Sequence, residues 1–459
     1  MAELKISDGY QCISPGDGQE KAFYPYFTDQ DLTRALEEVA EGYQFLSKTS
    51  IQERKDMLYS IAAKIEERAG KLAKLVTEEM GKPITQSKAE IQKCADMARY
   101  HADQGEEWLK KEVVDTPQLT YEIHQEPLGP VLFISTWNNP FLQATLAIVP
   151  QLIIGNSVLA KPAPNAPRCI LEMEKIVEEL KLPAKIFVPV LTTIPQTEEI
   201  LKNTDIKGVT FIGSTKAGRR VGSLAGESFK AAVIDAGGSD PMVVLQDADL
   251  EEAAKGAVGA RFGNTGQSCV AAKRIIVHEA VYDDFMAAFI LETKKLKVGD
   301  PMDEATTVGP LATHQARDLV KGQIEQSLSQ GAELIYGGKV LEGSGAFIEP
   351  TILSNVNCDM LPSKEEVFGP VAAVYKVKSL KEAVDYANDT PYGLGASVYT
   401  KTPEKIVPLL ETGNVAVNTK VATNFPVPFG GIKASGYGVY FGREGVTTFT
   451  NSKVVNIPK

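Results

Sequence analysis

Cys269 is the side chain in this sequence most suited to act as a nucleophile. It closes the run Phe262-Gly263-Asn264-Thr265-Gly266-Gln267-Ser268-Cys269. Two glycines and small polar residues let such a loop bring its backbone close to a ligand. A thiol held there is a candidate for covalent catalysis, although composition alone favours a buried structural cysteine. Asp235 ends an apolar run and precedes Gly237-Gly238-Ser239-Asp240-Pro241. In doubly wound sheets the carboxyl ends of strands face the ligand crevice, so its carboxylate is a candidate general base. Taken alone, it reads as a turn aspartate bonded to its own loop. Asn138, in Trp137-Asn138-Asn139-Pro140, is a neutral donor suited to an oxyanion, or a turn residue before a Pro-started helix. Gly213 and Ser214 sit between a predicted strand and a predicted helix, where free N–H groups favour phosphate; simple helix capping explains them equally. Neither GxGxxG nor GxxxxGK[ST] occurs, so the local nucleotide signal is weak.

The elements that must position these residues follow from periodicity. Thr28 with Asp31 opens a helix over 28–47, and Ser50 with Glu53 forms a capping box for a helix ending before Met80-Gly81-Lys82-Pro83. A third helix is expected over 85–111. From there strands at 118–125, 131–135, 157–161, 185–190, 208–212 and 231–235 alternate with helices at 140–154 and 166–180 and a helix opened by 213–215. The rhythm resumes with strands at 241–245 and 274–277 and helices at 249–262, 280–296 and 313–330. A final strand covers 448–457. Such alternation implies doubly wound α/β units.

Composition bounds the function. The chain has 459 residues, 43% hydrophobic and 23% charged, with 48 basic residues against 59 acidic and a net charge of −11. That is a large globular protein, not a disordered one, and the acidic excess disfavours nucleic acid as a partner. Cys12, Cys94, Cys169, Cys269 and Cys358 are too scattered for a disulfide framework and point to a reducing, cytoplasmic setting. Four histidines without ligand spacing disfavour a His-based metal site. Residues 1–10 carry no signal-peptide pattern. Residues 127–160 lack charge, but their prolines, asparagines and glutamines argue against a membrane span.

Together these pieces resemble the aldehyde dehydrogenase superfamily across nearly the whole chain. The similarity is carried by EEMGKP (78–83), WNNP (137–140), LAKPA (159–163), FIGS (211–214), DAGGSDP (235–241), NTGQSC (264–269), EEVFGP (365–370), YGLGASVYT (392–400) and PFGGIKASGYG (428–438). Within the superfamily the chain looks most like the succinate-semialdehyde dehydrogenase group. The resemblance implies an α/β fold with two doubly wound domains and a small β oligomerisation sheet. A dinucleotide-binding domain would take residues 1–117 and 128–238, a catalytic domain 239–440, and oligomerisation segments 118–127 and 441–459. It implies that Cys269 attacks an aldehyde carbon, that Asn138 and the Cys269 N–H hold the alkoxide, and that a thioester is then hydrolysed. Trp137, Lys161, Gly213, Ser214, Glu366 and Phe368 would bind the cofactor. Relatives that prefer NAD place a Glu where this chain has Pro164; losing that carboxylate removes repulsion against a 2′-phosphate, so NADP is favoured, with NAD retained. A small aliphatic aldehyde and a homodimer or homotetramer complete the expectation.

The sequence departs from the family pattern around its base. The usual Glu is Asp235, the following Leu is Ala236, a frequent Lys is Ala147, a usual Thr is Ile212 and the usual Arg-Glu is Val439-Tyr440. A misplaced base costs about 10²–10⁴ in rate. Acyl transfer to coenzyme A is therefore an alternative fate for the thioester, and a catalytically impaired nucleotide-binding relative is another reading. The Arg that marks many succinate-semialdehyde enzymes just before NTGQ is replaced by Gly263; Arg261, nearby, is expected on the surface at a helix end.

Overall fold

The computed structural model describes residues 8–459; the signal-peptide reading falls mostly on residues outside that range. Two parallel sheets organise the chain. The first runs in the order Gly436–Tyr437, Ala231–Asp235, Gly208–Ile212, Val131–Ile134, Val158–Lys161, Phe187–Pro189, parallel throughout except for the Gly436–Tyr437 edge. The second runs Glu333–Tyr336, Thr351–Ser354, Val371–Val377, Ala272–His278, Asp240–Val244, Gly395–Tyr399, Asn414–Val417, with only the Glu333–Tyr336 edge antiparallel. A three-stranded antiparallel sheet of Thr450–Pro458, Leu119–Pro127 and Glu112–Asp115 stands apart.

The uncharged stretch resolves into a buried strand, a helix at Pro140–Ile154 and a second buried strand. That helix is buried on all sides, as one that is apolar all round must be. Each fully buried Phe, Leu or Ile there contributes roughly 1.5–3 kcal/mol. Among the described residues no helix is long and apolar enough to cross a membrane.

Both capping boxes form as expected, at Thr28/Asp31 and Ser50/Glu53. The helix expected to run from 50 to Met80 is instead two, Ile51–Glu67 and Ala69–Met80, broken at Arg68. Gly70 weakens continuation there, and the Arg68 side chain is drawn sideways onto Glu179. A hairpin of Gly9–Ile13 with Glu20–Pro25 precedes the helices; its short strands carry no clean alternation, so periodicity does not reveal it.

Two helices are capped by carboxylates from elsewhere in the chain. Glu79 accepts from the N–H groups of Arg168 (2.7 Å) and Cys169 (3.2 Å). Glu90 accepts from those of Phe141 (3.0 Å) and Leu142 (2.9 Å), and is itself paired with the buried Lys82. Such contacts satisfy orphan donors at helix starts. The second also fixes the loop before Pro140, because Lys82 donates to Asn139 Oδ1 at 2.7 Å.

Candidate active site

Cys269, Asn138 and Asp235 lie in the wall of one cavity of about 370 Å³. The cysteine loop reaches it through a strained turn. Asn264, Thr265 and Gly266 have φ of 52°, 56° and 73°, a region costly for a β-branched threonine. Partners on several sides hold it: Asn264 N donates to Gln86 Oε1 (2.8 Å), Asn264 Nδ2 to Asn138 O (2.8 Å), and Gly309 N to Thr265 Oγ1 (3.1 Å). Gly266 is required, since a Cβ there would sit 2.4 Å from Gly369 O.

The Asn138 amide is oriented by a relay. Thr136 N donates to Gln143 Oε1 at 2.7 Å, which turns Gln143 Nε2 onto Asn138 Oδ1 at 3.0 Å. Asn138 Nδ2 therefore points to the cysteine loop, where it donates to Gln267 O at 3.1 Å. An amide nitrogen has two N–H groups, so one is left for an oxygen at the sulfur. Gln143 had no signal in the sequence beyond its place in the first turns of a helix.

Asp235 is buried, and its Oδ2 accepts from the Tyr440 hydroxyl at 2.7 Å. Tyr440, three residues beyond the Gly436–Tyr437 strand, is brought here because that edge strand pairs Gly436 with Asp235. Asp235 Oδ1 has no partner among the described residues. Burial pushes the carboxyl up to about 7; the Tyr440 hydrogen bond opposes the shift and the Glu366 charge adds to it. The partly buried Cys269 thiol is pushed well above its ordinary range, chiefly by burial and then by Asp235, with Lys273 pulling the other way.

The remaining candidates lie outside the cavity wall. Glu366 Oε1 accepts from Gly238 N at 3.3 Å and pairs with Lys273 at 3.0 Å. A Cβ at Gly237 would meet Glu366 Oε2 at 2.2 Å, so a side chain there would displace the Glu366 carboxylate. Trp137 and Phe368 meet edge to face at 5.6 Å. Lys161 ends its strand buried, with Pro162 O at 3.3 Å and the Tyr10 ring at 5.5 Å; burial lowers it to about 8. Ser214 is exposed and caps Thr215–Glu227, and Gly213 N donates to Asp235 O. In the loop after Lys161, Asn165 Nδ2 is buried with no partner among the described residues. A cationic strand end, the unpartnered Asn165 amide and the N-terminus of the Thr215–Glu227 helix fit a dinucleotide phosphate and ribose.

Arg261 corrects the surface expectation. It is fully buried, donates to Val367 O at 3.1 Å, and does not line the cavity, although Ala260 and Gly263 do. Its side chain leaves the helix end on the side facing the 365–370 loop. Besides Lys82, which is paired with Glu90, the positive charge in the cavity wall comes from Lys93, whose Nζ lies 2.7 Å from both Thr423 O and Thr423 Oγ1, and from the exposed Lys420. Neither Lys93 nor Lys420 lies in a recognisable motif.

The model for the aldehyde dehydrogenase family matches residues 4–455. The chain belongs to that family and is an enzyme of aldehyde oxidation. It is 36% identical over 446 residues to the succinate semialdehyde dehydrogenase [NAD(P)+] Sad of Escherichia coli, covering 96% of each chain. It is 37% identical over 450 residues to the succinate-semialdehyde dehydrogenase [NADP(+)] of Mycobacterium avium, covering 96% of this chain and 95% of that one. The crystal structure of succinic semialdehyde dehydrogenase from Streptococcus pyogenes in complex with NADP+ superposes with a TM-score of 0.95 at 33% identity, covering 98% of this chain and all of that one. The two doubly wound sheets and the small antiparallel sheet are thus the aldehyde dehydrogenase fold.

Proposed function

We propose that this enzyme oxidises a short aliphatic aldehyde with a distal carboxylate, of the succinic semialdehyde kind, to its acid, using NADP or NAD. The observation that carries this is the shared cavity, whose wall holds a thiol, an oriented amide and a buried carboxylate around one small space. The Cys269 sulfur, as the thiolate after its proton passes to solvent, bonds to the aldehyde carbon while the carbonyl π pair moves onto oxygen. Asn138 Nδ2 and the Cys269 N–H hold the oxygen that becomes negative, an interaction worth roughly 3–4 kcal/mol per donor. A nicotinamide held by Glu366 and Phe368 would accept the hydride that leaves the aldehyde carbon, and the carbon–oxygen double bond re-forms as a thioester on Cys269. Asp235 Oδ1 takes a proton from water, which attacks the Cys269 thioester and frees the carboxylate and the thiol. Lys161 would contact the adenosine ribose, and Gly213 and Ser214 would face the pyrophosphate, with Trp137 packed on Phe368. An exposed Pro164, with no carboxylate in its place, supports NADP. Lys93 and Lys420 attract the distal carboxylate.

Rapid mixing with succinic semialdehyde, and with a neutral aldehyde of equal length, tests this. NADP should serve better than NAD, and turnover should continue without coenzyme A. Lys420→Met should raise KM about threefold for the carboxylate alone. Equal use of both aldehydes by the unaltered enzyme would remove the carboxylate preference. A burst that stalls until coenzyme A is added would make the enzyme acylating.

We infer a division of labour with residues 1–117 and 128–238 for the dinucleotide, 239–440 for catalysis, and 118–127 with 441–459 for assembly; Glu112–Asp115 joins the assembly sheet and Gly436–Tyr437 the first sheet across these bounds. Thr450–Pro458 forms an edge that leaves Val454 55% exposed, with Val113 52% exposed on the opposite strand of the same sheet. An apolar edge needs a cover, which supports a homodimer or homotetramer. Sedimentation at micromolar concentration should show two or four subunits; a monomer would refute this. The scattered cysteines support action in the cytoplasm.

A further inference from the structure

Lys273 occupies a position that neither the motifs nor the family roles explain. It lies at the start of the Ala272–His278 strand, where the pairing with Asp240–Val244 changes register. Asp240 faces Ala272 and Pro241 faces Arg274, so Lys273 is an extra residue with no opposite number. Bulges of this kind re-aim a side chain, and here the side chain turns inward until it is only 2% exposed. Its ammonium lies 2.7 Å from Cys269 O, 2.8 Å from Ser268 O and 3.0 Å from Glu366 Oε1. The ammonium also sits 5.8 Å from the Phe368 ring centroid. Three donors thus meet three acceptors, two on the cysteine loop and one on the 365–370 loop. A compact ammonium suits such a junction better than a planar guanidinium.

We propose that Lys273 is a positioning residue that sets the Cys269 loop against Glu366, so that one ammonium ties presentation of the nucleophile to the grip on the cofactor ribose. This rests on Cys269 as the nucleophile and Glu366 as the ribose acceptor. The mainchain oxygen of the nucleophile's own residue and the ribose acceptor share one cation, so the spacing between sulfur and ribose is set through it. The charged groups acting on the thiol are Asp235, Glu366 and Asp240 on one side of the balance and Lys273 on the other, and the Tyr440 hydroxyl shares the site.

Lys273→Met, Glu366→Gln and the double variant test this by two readouts besides turnover. The first is the Kd for NADP by calorimetry. The second is the pH midpoint for iodoacetamide alkylation of Cys269 in cofactor-free protein, read by peptide mass. Lys273→Met should weaken NADP about tenfold and raise the midpoint by about one pH unit. Glu366→Gln should weaken NADP similarly but lower the midpoint, because it removes a negative charge. The double variant should bind NADP no more weakly than either single one, because both act through one contact. Unchanged Kd and midpoint in Lys273→Met, with only a lower Tm, would make the lysine merely structural and overturn the proposal; additive losses in Kd would also overturn it. Unchanged Kd in Glu366→Gln, or turnover in Cys269→Ala, would instead strike the reading of the site beneath it.

Discussion

Cys269→Ala should abolish aldehyde-dependent cofactor reduction, by about 10⁴-fold or more, while leaving cofactor binding intact. The loss is near total because Cys269 is the one thiol among the described residues of the cavity wall. Asn138 and Asp235 can stabilise and deprotonate, but neither supplies a polarisable sulfur. Lys161, Ser214 and Glu366 do not depend on the sulfur, so the Kd for NADP should move less than about threefold. Burst kinetics and calorimetry on the same preparation separate the two effects. A burst in Cys269→Ala would remove the thioester. In the unaltered enzyme the thiol is held above its ordinary range by burial. Alkylation near pH 7 should therefore be slow and should climb steadily as pH rises.

The second large effect falls on the other half of the cycle. Asp235→Asn should retain a burst of about one equivalent while steady turnover drops about 10²–10⁴-fold. The amide matches the carboxyl in shape and can still accept from Tyr440, but it cannot take a proton from water. The pH dependence carries the sign. Burial raises the carboxyl to about 7, so the base form is scarce below that value. Steady turnover limited by deacylation should rise about tenfold per pH unit below 7 and level above it. Tyr440→Phe should move the midpoint upward, because the lost hydrogen bond is one that favours the carboxylate. A profile unchanged in both variants would mean that Asp235 is not the base. The same shift acts on folding. A carboxyl raised in the native state binds its proton more tightly there. Its contribution is therefore present at low pH and lost as pH climbs from about 4 through 7. Asp235→Asn should flatten that part of the stability profile.

Much of this protein was legible as sequence because the relevant signals are local. Thr28 with Asp31 and Ser50 with Glu53 each complete a hydrogen-bonded box within four residues. The buried strands Val131–Ile134 and Val158–Lys161 announce themselves as apolar runs. Cys269, Asn138 and Asp235 each sit in a short motif, and the order of those motifs was enough to name the family. Other features arise from contacts between distant segments, which no window of sequence contains. Glu90 caps a helix that begins 50 residues later, and Tyr440 reaches Asp235 across 205 residues. Which way Arg261 leaves its helix depends on what packs there, so a residue read as surface is wholly buried. Lys273 looks like any strand residue until one unpaired position in the neighbouring register turns it inward. Residue types and short-range periodicity decided which groups could do chemistry and which elements carry them. Strand register, helix-end geometry and burial decided which of those groups meet, and at what protonation, because desolvation and hydrogen bonding depend on neighbours in space rather than in sequence.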